Sequence, residues 1–79
     1  MVQLLQIAIR ERGQVEIGYR RDRKIVLLGR VWGESNLWEY CVNGSHVWYS
    51  AHSREAAELN LARAHGIHAA ICSTSTDGA

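Results

Sequence analysis

The residues of this chain best suited to chemistry are cationic. Arg20, Arg21, Arg23 and Lys24 fall within five positions, and Arg10, Arg12 and Arg30 lie on either side of them. Guanidinium and ammonium groups at that density suit the phosphates of a nucleic acid or an acidic patch on a protein. Between Arg10 and Arg30 seven basic residues stand against three acidic ones. From Val31 onward two basic residues stand against five acidic ones, so a net charge of only +1 hides a lopsided distribution. Because the acids are scattered and the bases grouped, the basic segment is the natural contact element. Trp48 is the second candidate, as a large rigid indole able to anchor a protein partner or to stack on a base.

A metal site is the other chemistry the residue types allow. Cys41 and His46, joined by His65, His68 or Cys72, could supply zinc ligands, but the spacing matches no standard ligand pattern, and neither a metal nor a cofactor is expected. The chain has no glycine-rich phosphate loop with its lysine, no paired histidines flanking a glutamate and no nucleophile elbow. An acid and base pair needs two titratable groups converging in a pocket, and the carboxylates here are dispersed, so the expectation is a protein that is not an enzyme.

The element that must position these side chains is the stretch Leu37 to Ser50, with Asn43-Gly44 between two aromatic-rich runs. Asn-Gly tolerates the positive φ of a two-residue type I′ loop. That loop predicts Val42 opposite Ser45, Cys41 opposite His46, Tyr40 opposite Val47, Glu39 opposite Trp48 and Trp38 opposite Tyr49. Alternation then puts Trp38, Tyr40, Val42, Val47 and Tyr49 on a core face. Leu37, Glu39, Cys41, His46 and Trp48 share the other. If a helix takes the Trp38 face, Trp48 with Leu37 and Cys41 is left as an apolar patch rimmed by Glu39 and His46.

Upstream, Leu5, Ile7 and Ile9 at period two predict a first strand, although Val2, Leu5 and Ile9 would also suit a helical stripe. Val15, Ile17 and Tyr19 alternate with Glu16, Gly18 and Arg20 as a second strand with one wet face. The unbroken Ile25-Val26-Leu27-Leu28 belongs to a third strand over 24–32, covered on both faces and central in the sheet. Downstream, Ser53 is placed to cap a helix that runs to His65 and stops at Gly66. Its sheet-facing stripe would be Ala57, Leu61 and Ala64. Ile67, Ala69 and Ile71 permit a last edge strand. The fold class expected is α+β: an antiparallel β-meander of four or five strands with one α-helix packed on one face and a short C-terminal edge strand. Residues 1–72 form one compact unit and residues 73–79 a disordered tail.

Two cysteines far apart make no disulfide framework, and neither a signal peptide nor a membrane-length apolar run is visible, so a reduced, cytoplasmic chain is the expected setting. Three strands followed by a helix, with the W-E-Y-C-V-N-G run and the S-R-E-A-A helix start over residues 37 to 65, resemble the arm-binding domain of phage-type integrases. That resemblance implies a DNA-binding module of a mobile-element protein. In size, lack of a catalytic motif and segregated charge the chain resembles, as a type, the small phage-encoded anti-CRISPR proteins. That likeness implies an inhibitor that binds a subunit of a host nuclease complex. The second implication fits better, because a protein that reads phosphates normally carries a larger positive excess. The partner-binding residues expected are Arg20, Arg21, Arg23, Lys24, Arg30 and Trp48; a homodimer through the exposed sheet face stays open.

Overall fold

The computed structural model describes residues 1–72, so the expected tail lies outside the described residues. Strands β1 (Val2–Ile9), β2 (Val15–Arg21), β3 (Lys24–Glu34), β4 (Leu37–Val42) and β5 (Trp48–Ala51) form an antiparallel meander. Helix α1 (Arg54–Ala64) follows, and β6 (Ala69–Ala70) returns to pair in parallel with β1, giving the order β5-β4-β3-β2-β1-β6. The fold is therefore α+β as expected, with six strands rather than four or five. The helix carries the chain from one edge of the sheet to the other, packing mainly over β4 and β3. No helix among the described residues is long and apolar enough to cross a membrane.

Two tight turns form where the polar run Arg20–Lys24 and the turn-rich Gly33–Asn36 place them, and only the Asn43-Gly44 loop departs from the expected form. Arg21 pairs with Lys24 and Glu34 with Leu37, so two-residue turns sit at Asp22-Arg23 and Ser35-Asn36, with φ of 58° at Asp22 and 56° at Ser35. At Asn43-Gly44, by contrast, Cys41 opposes Trp48 and Tyr40 opposes Tyr49, two residues away from the predicted register. The Asn43 amide donates to the Leu28 carbonyl at 2.8 Å, which keeps Asn43 tied to β3. Only Gly44 takes positive φ (91°), and the Ser45 amide closes a four-residue turn onto the Val42 carbonyl at 2.9 Å. This is the pattern of a type II turn. A shift of two keeps the paired residues of β4 and β5 on their predicted faces, because the strand period is two, but Val47 falls in the loop and Val47 and Tyr49, expected in the core, are 53% and 50% exposed.

The helix occupies the Trp38 and Tyr40 face. Beneath it Leu4, Ile17, Leu28, Val31 and Leu61 are fully buried, with Val15, Tyr19, Ala57 and Ala62 around them. In β1 the buried residue is Leu4, set against the inward Tyr19; Leu5 and Ile7 face the other side, and beyond the bulge at Ile7, Ile9 pairs with the inward Val15 but is 66% exposed. Ser53 caps the helix as expected, its Oγ accepting from the Ala56 amide at 3.0 Å. The buried helical stripe is Ala57, Glu58, Leu61 and Ala62; Ala64 is exposed.

Glu58 is 2% exposed. Its Oε2 accepts from Arg54 Nε at 2.8 Å and its Oε1 from the Cys72 amide at 2.7 Å, so one carboxylate clasps the helix to the chain beyond β6. Burial, and then the neighbouring Glu58 charge, push the Cys72 thiol up to about 11, which keeps it protonated and unreactive at neutral pH. Glu58→Gln retains the shape and loses the charge-assisted bond to Arg54. It is expected to cost about 1–2 kcal/mol, read as a lower urea midpoint at unchanged slope.

Candidate functional site

One helix covers one side of the sheet, and the other side is open. Across it, alternation and register set Leu5, Gly18 and Leu27 in one row and Arg20 beside Ile25 in the next. Ile7 leans over Gly18, where a Cβ would lie 3.3 Å from Ile7 Cγ1. These aliphatic side chains form a strip on which Ile7 is 37% and Ile25 46% exposed. The strand containing Ile25 to Leu28 is central, as expected, yet only one of its faces is covered. The described residues supply a single α-helix, which packs on the opposite side, so none of them covers the second face.

Further along β3 the chemistry of the open face changes. Arg30 pairs with Cys41 and Trp32 with Glu39, while Trp48 lies on the far side of Cys41. Arg30 is held from three directions. Its Nη1 donates to Gln14 Oε1 at 2.8 Å, its guanidinium carbon lies 5.3 Å from the Trp48 ring centroid, and its Nη2 lies 3.9 Å from Cys41 Sγ. Trp32 Nε1 donates to Glu39 Oε1 at 2.9 Å. Arg10 forms an ion pair with Glu16 at 2.9 Å. Two adjoining clefts result. One, of about 260 Å³, is lined by Arg12, Gln14, Trp32, Glu39 and Trp48. The other, of about 370 Å³, is lined by Arg10, Glu11, Arg12, Gln14 and Arg30.

The predicted contact residues are thus divided. Arg30 and Trp48 come together in cation–π contact, on the face opposite the helix. The basic hairpin does not act as one patch. Arg20 follows Gly18 onto the open face, whereas Arg21 and Lys24 follow Tyr19 and Val26 onto the helix side, where they line one cleft with Asp22, Arg23 and Val26. The predicted apolar patch is also rearranged. Cys41 is 1% exposed, shielded by Arg30 and Trp48 and directed at the Ser45 carbonyl 3.2 Å away. Leu37 is 67% exposed at the far end of β4.

His46 lies in the β4–β5 loop, outside both strands, so the cross-strand Cys41–His46 pair does not form. Among the described residues no three His, Cys, Asp or Glu side chains gather to hold a metal ion. Trp32 and Gln14 join the site without having been expected there, and Glu39, expected at the rim of the Trp48 patch, lines the aromatic cleft. The signal for Trp32 was available in the alternation of Arg30, Trp32 and Glu34 along β3, but the bulge at Leu28-Gly29, which sets that alternation relative to the core, is not apparent until β3 is aligned with β2.

In comparisons with protein-family models, with curated proteins and with solved structures, nothing matches this chain.

Proposed function

We propose that the chain is a non-catalytic binding protein that works by covering a patch on another protein, with the open aliphatic strip as its contact. The observation that carries this reading is the uncovered strip of Leu5, Ile7, Ile25 and Leu27 beside a helix that fills only the opposite face. Apolar surface of this kind on a sheet is stabilised by a partner that removes it from water. Arg20 at one end of the strip and Arg30 at the other favour a partner surface that is apolar at its centre and acidic at its rim. A small inhibitor of the anti-CRISPR type, docking on a subunit of an RNA-guided nuclease, is the most concrete form of this reading. It uses a contact surface and needs no catalytic centre.

Ile25→Asp is the informative variant. Ile25 is nearly half exposed, so the substitution is expected to cost no more than about 1 kcal/mol of stability while placing a charge on the strip, beside Arg20. Wild type added to a purified RNA-guided nuclease should inhibit cleavage and comigrate with the complex, and Ile25→Asp should do neither. Failure of the wild type to bind any such complex overturns the inhibitor reading. A wild-type dimer in light scattering that Ile25→Asp dissociates would assign the strip to a second copy of this chain instead.

A further inference from the structure

The paired clefts around Arg12 lie at the other end of the open face and share only Arg30 with the contact strip described above. We infer that they form a site for one nucleotide unit of a single-stranded nucleic acid, the base held at Trp32 and Trp48 and the phosphate at Arg12 and Arg30.

The two clefts share Arg12 and Gln14 and differ in chemistry on either side of them. One has two indoles for walls, which suits a planar aromatic ligand. The other has three guanidinium groups against the single carboxylate of Glu11, which suits an anion. A planar ring joined through a short spacer to an anion is the chemistry of a nucleotide. Arg30 is already fixed by Gln14 and Trp48, so its side-chain entropy is spent before a ligand arrives, and its remaining N–H groups are free to donate. Arg10 is committed to Glu16, whereas Arg12 makes no ion pair among the described residues and is the cation available for a phosphate.

Glu39 has one oxygen engaged by the Trp32 indole. Glu39 lines the aromatic cleft, and its second oxygen can accept from an exocyclic amine or ring N–H of a base. A carboxylate there repels a bare phosphate, which orients the ligand with its base toward Trp32 and its phosphate toward Arg12. The strand must be single, because the aromatic cleft takes one unstacked ring and a paired base in a duplex does not offer its face to an indole.

The test is a titration of the full chain with a short fluorescein-labelled oligonucleotide of mixed sequence, offered as single-stranded DNA, as single-stranded RNA and as the matching DNA duplex. Anisotropy and tryptophan quenching are read at low and at physiological salt. Either single strand is expected to bind at least about tenfold more tightly than the duplex, with quenching of the indoles. A difference between the DNA and RNA arms identifies which strand the site prefers.

Trp32→Ala should weaken binding by about fivefold or more. Arg12→Asn, whose side chain tolerates the φ of 63° at this position, should lower the log–log salt slope by about 0.7. Both residues are exposed, and an unchanged far-UV spectrum and melting curve will show that the variants fold. Three results would overturn the inference: no binding of either strand at low salt, binding that ignores both substitutions, or tighter binding to a tyrosine-phosphorylated peptide, whose ring and phosphate would then be the natural ligand.

Discussion

Gly29→Ala is expected to remove about 4 kcal/mol of folding stability. A methyl group at this position would lie 2.2 Å from the Cys41 carbonyl oxygen and 2.6 Å from Leu61 Cδ2. The first obstacle is backbone in the neighbouring strand and cannot swing away. The second is the central side chain of the helix, fully buried. To admit the methyl, β4 must move off β3 and α1 must lift, at a point where the Leu28 carbonyl accepts from both the Asn43 amide (2.8 Å) and His65 Nε2 (2.9 Å). Overpacking and backbone displacement of this kind cost roughly 1–3 kcal/mol each, so about 4 kcal/mol together is a fair expectation.

A chain of this length has about 4–12 kcal/mol of stability in total, so the variant should melt far below wild type or fail to show a cooperative transition in circular dichroism. Gly44→Ala serves as the control. Nothing lies within 4 Å of the methyl it would add, and only its positive φ is strained, for about 1 kcal/mol. If the two variants melt alike, β3, β4 and α1 are not packed as closely as described.

The second large effect is expected at Leu61. It is the largest buried side chain the helix contributes, flanked there by Ala57 and Ala62, which are too small to fill space in its place. Leu61→Ala therefore removes apolar contacts and leaves a cavity over Gly29, Leu28 and Val31 that a rigid sheet cannot close. The expected cost is about 3–5 kcal/mol, and for a domain of this size the melting temperature should fall by more than about 12 °C. Leu59→Ala, on the same helix but only half buried, should cost much less. In the double variant Gly29→Ala, Leu61→Ala the total should be smaller than the two losses added, since removing the Leu61 side chain frees one of the two spaces that a methyl added at Gly29 needs. The Cys41 carbonyl would still obstruct it.

The strands themselves were readable in the sequence. Alternation in Val15-Ile17-Tyr19 and in Trp38-Tyr40-Val42 assigned the core face correctly, and it survived an error in the β4–β5 loop because that error was even. Ser53 and Gly66 bracketed the helix through local hydrogen bonding and φ, which neighbouring residues decide. What local pattern could not supply was the partner of each strand. The amide of Asn43 bonds to Leu28, fifteen residues away, and this long-range bond overrides the turn preference of Asn-Gly. Leu4 rather than Leu5 enters the core because Tyr19 stands opposite it.

The same division holds for the open face. The sequence by itself determined which residue types were at hand: grouped cations, three indoles, and an apolar run in β3 too long for a strand with one wet side. Only the tertiary structure decided that Arg12, Arg30, Trp32 and Trp48 converge while Arg20 and Arg21 part to opposite sides, and that the second face of β3 stays bare. The physical reason is that alternation is a property of one strand, whereas convergence depends on register between strands. Register is set by a few distant backbone bonds and by the two bulges beside Gly29 and Ile7, which leave no periodic trace in the chain.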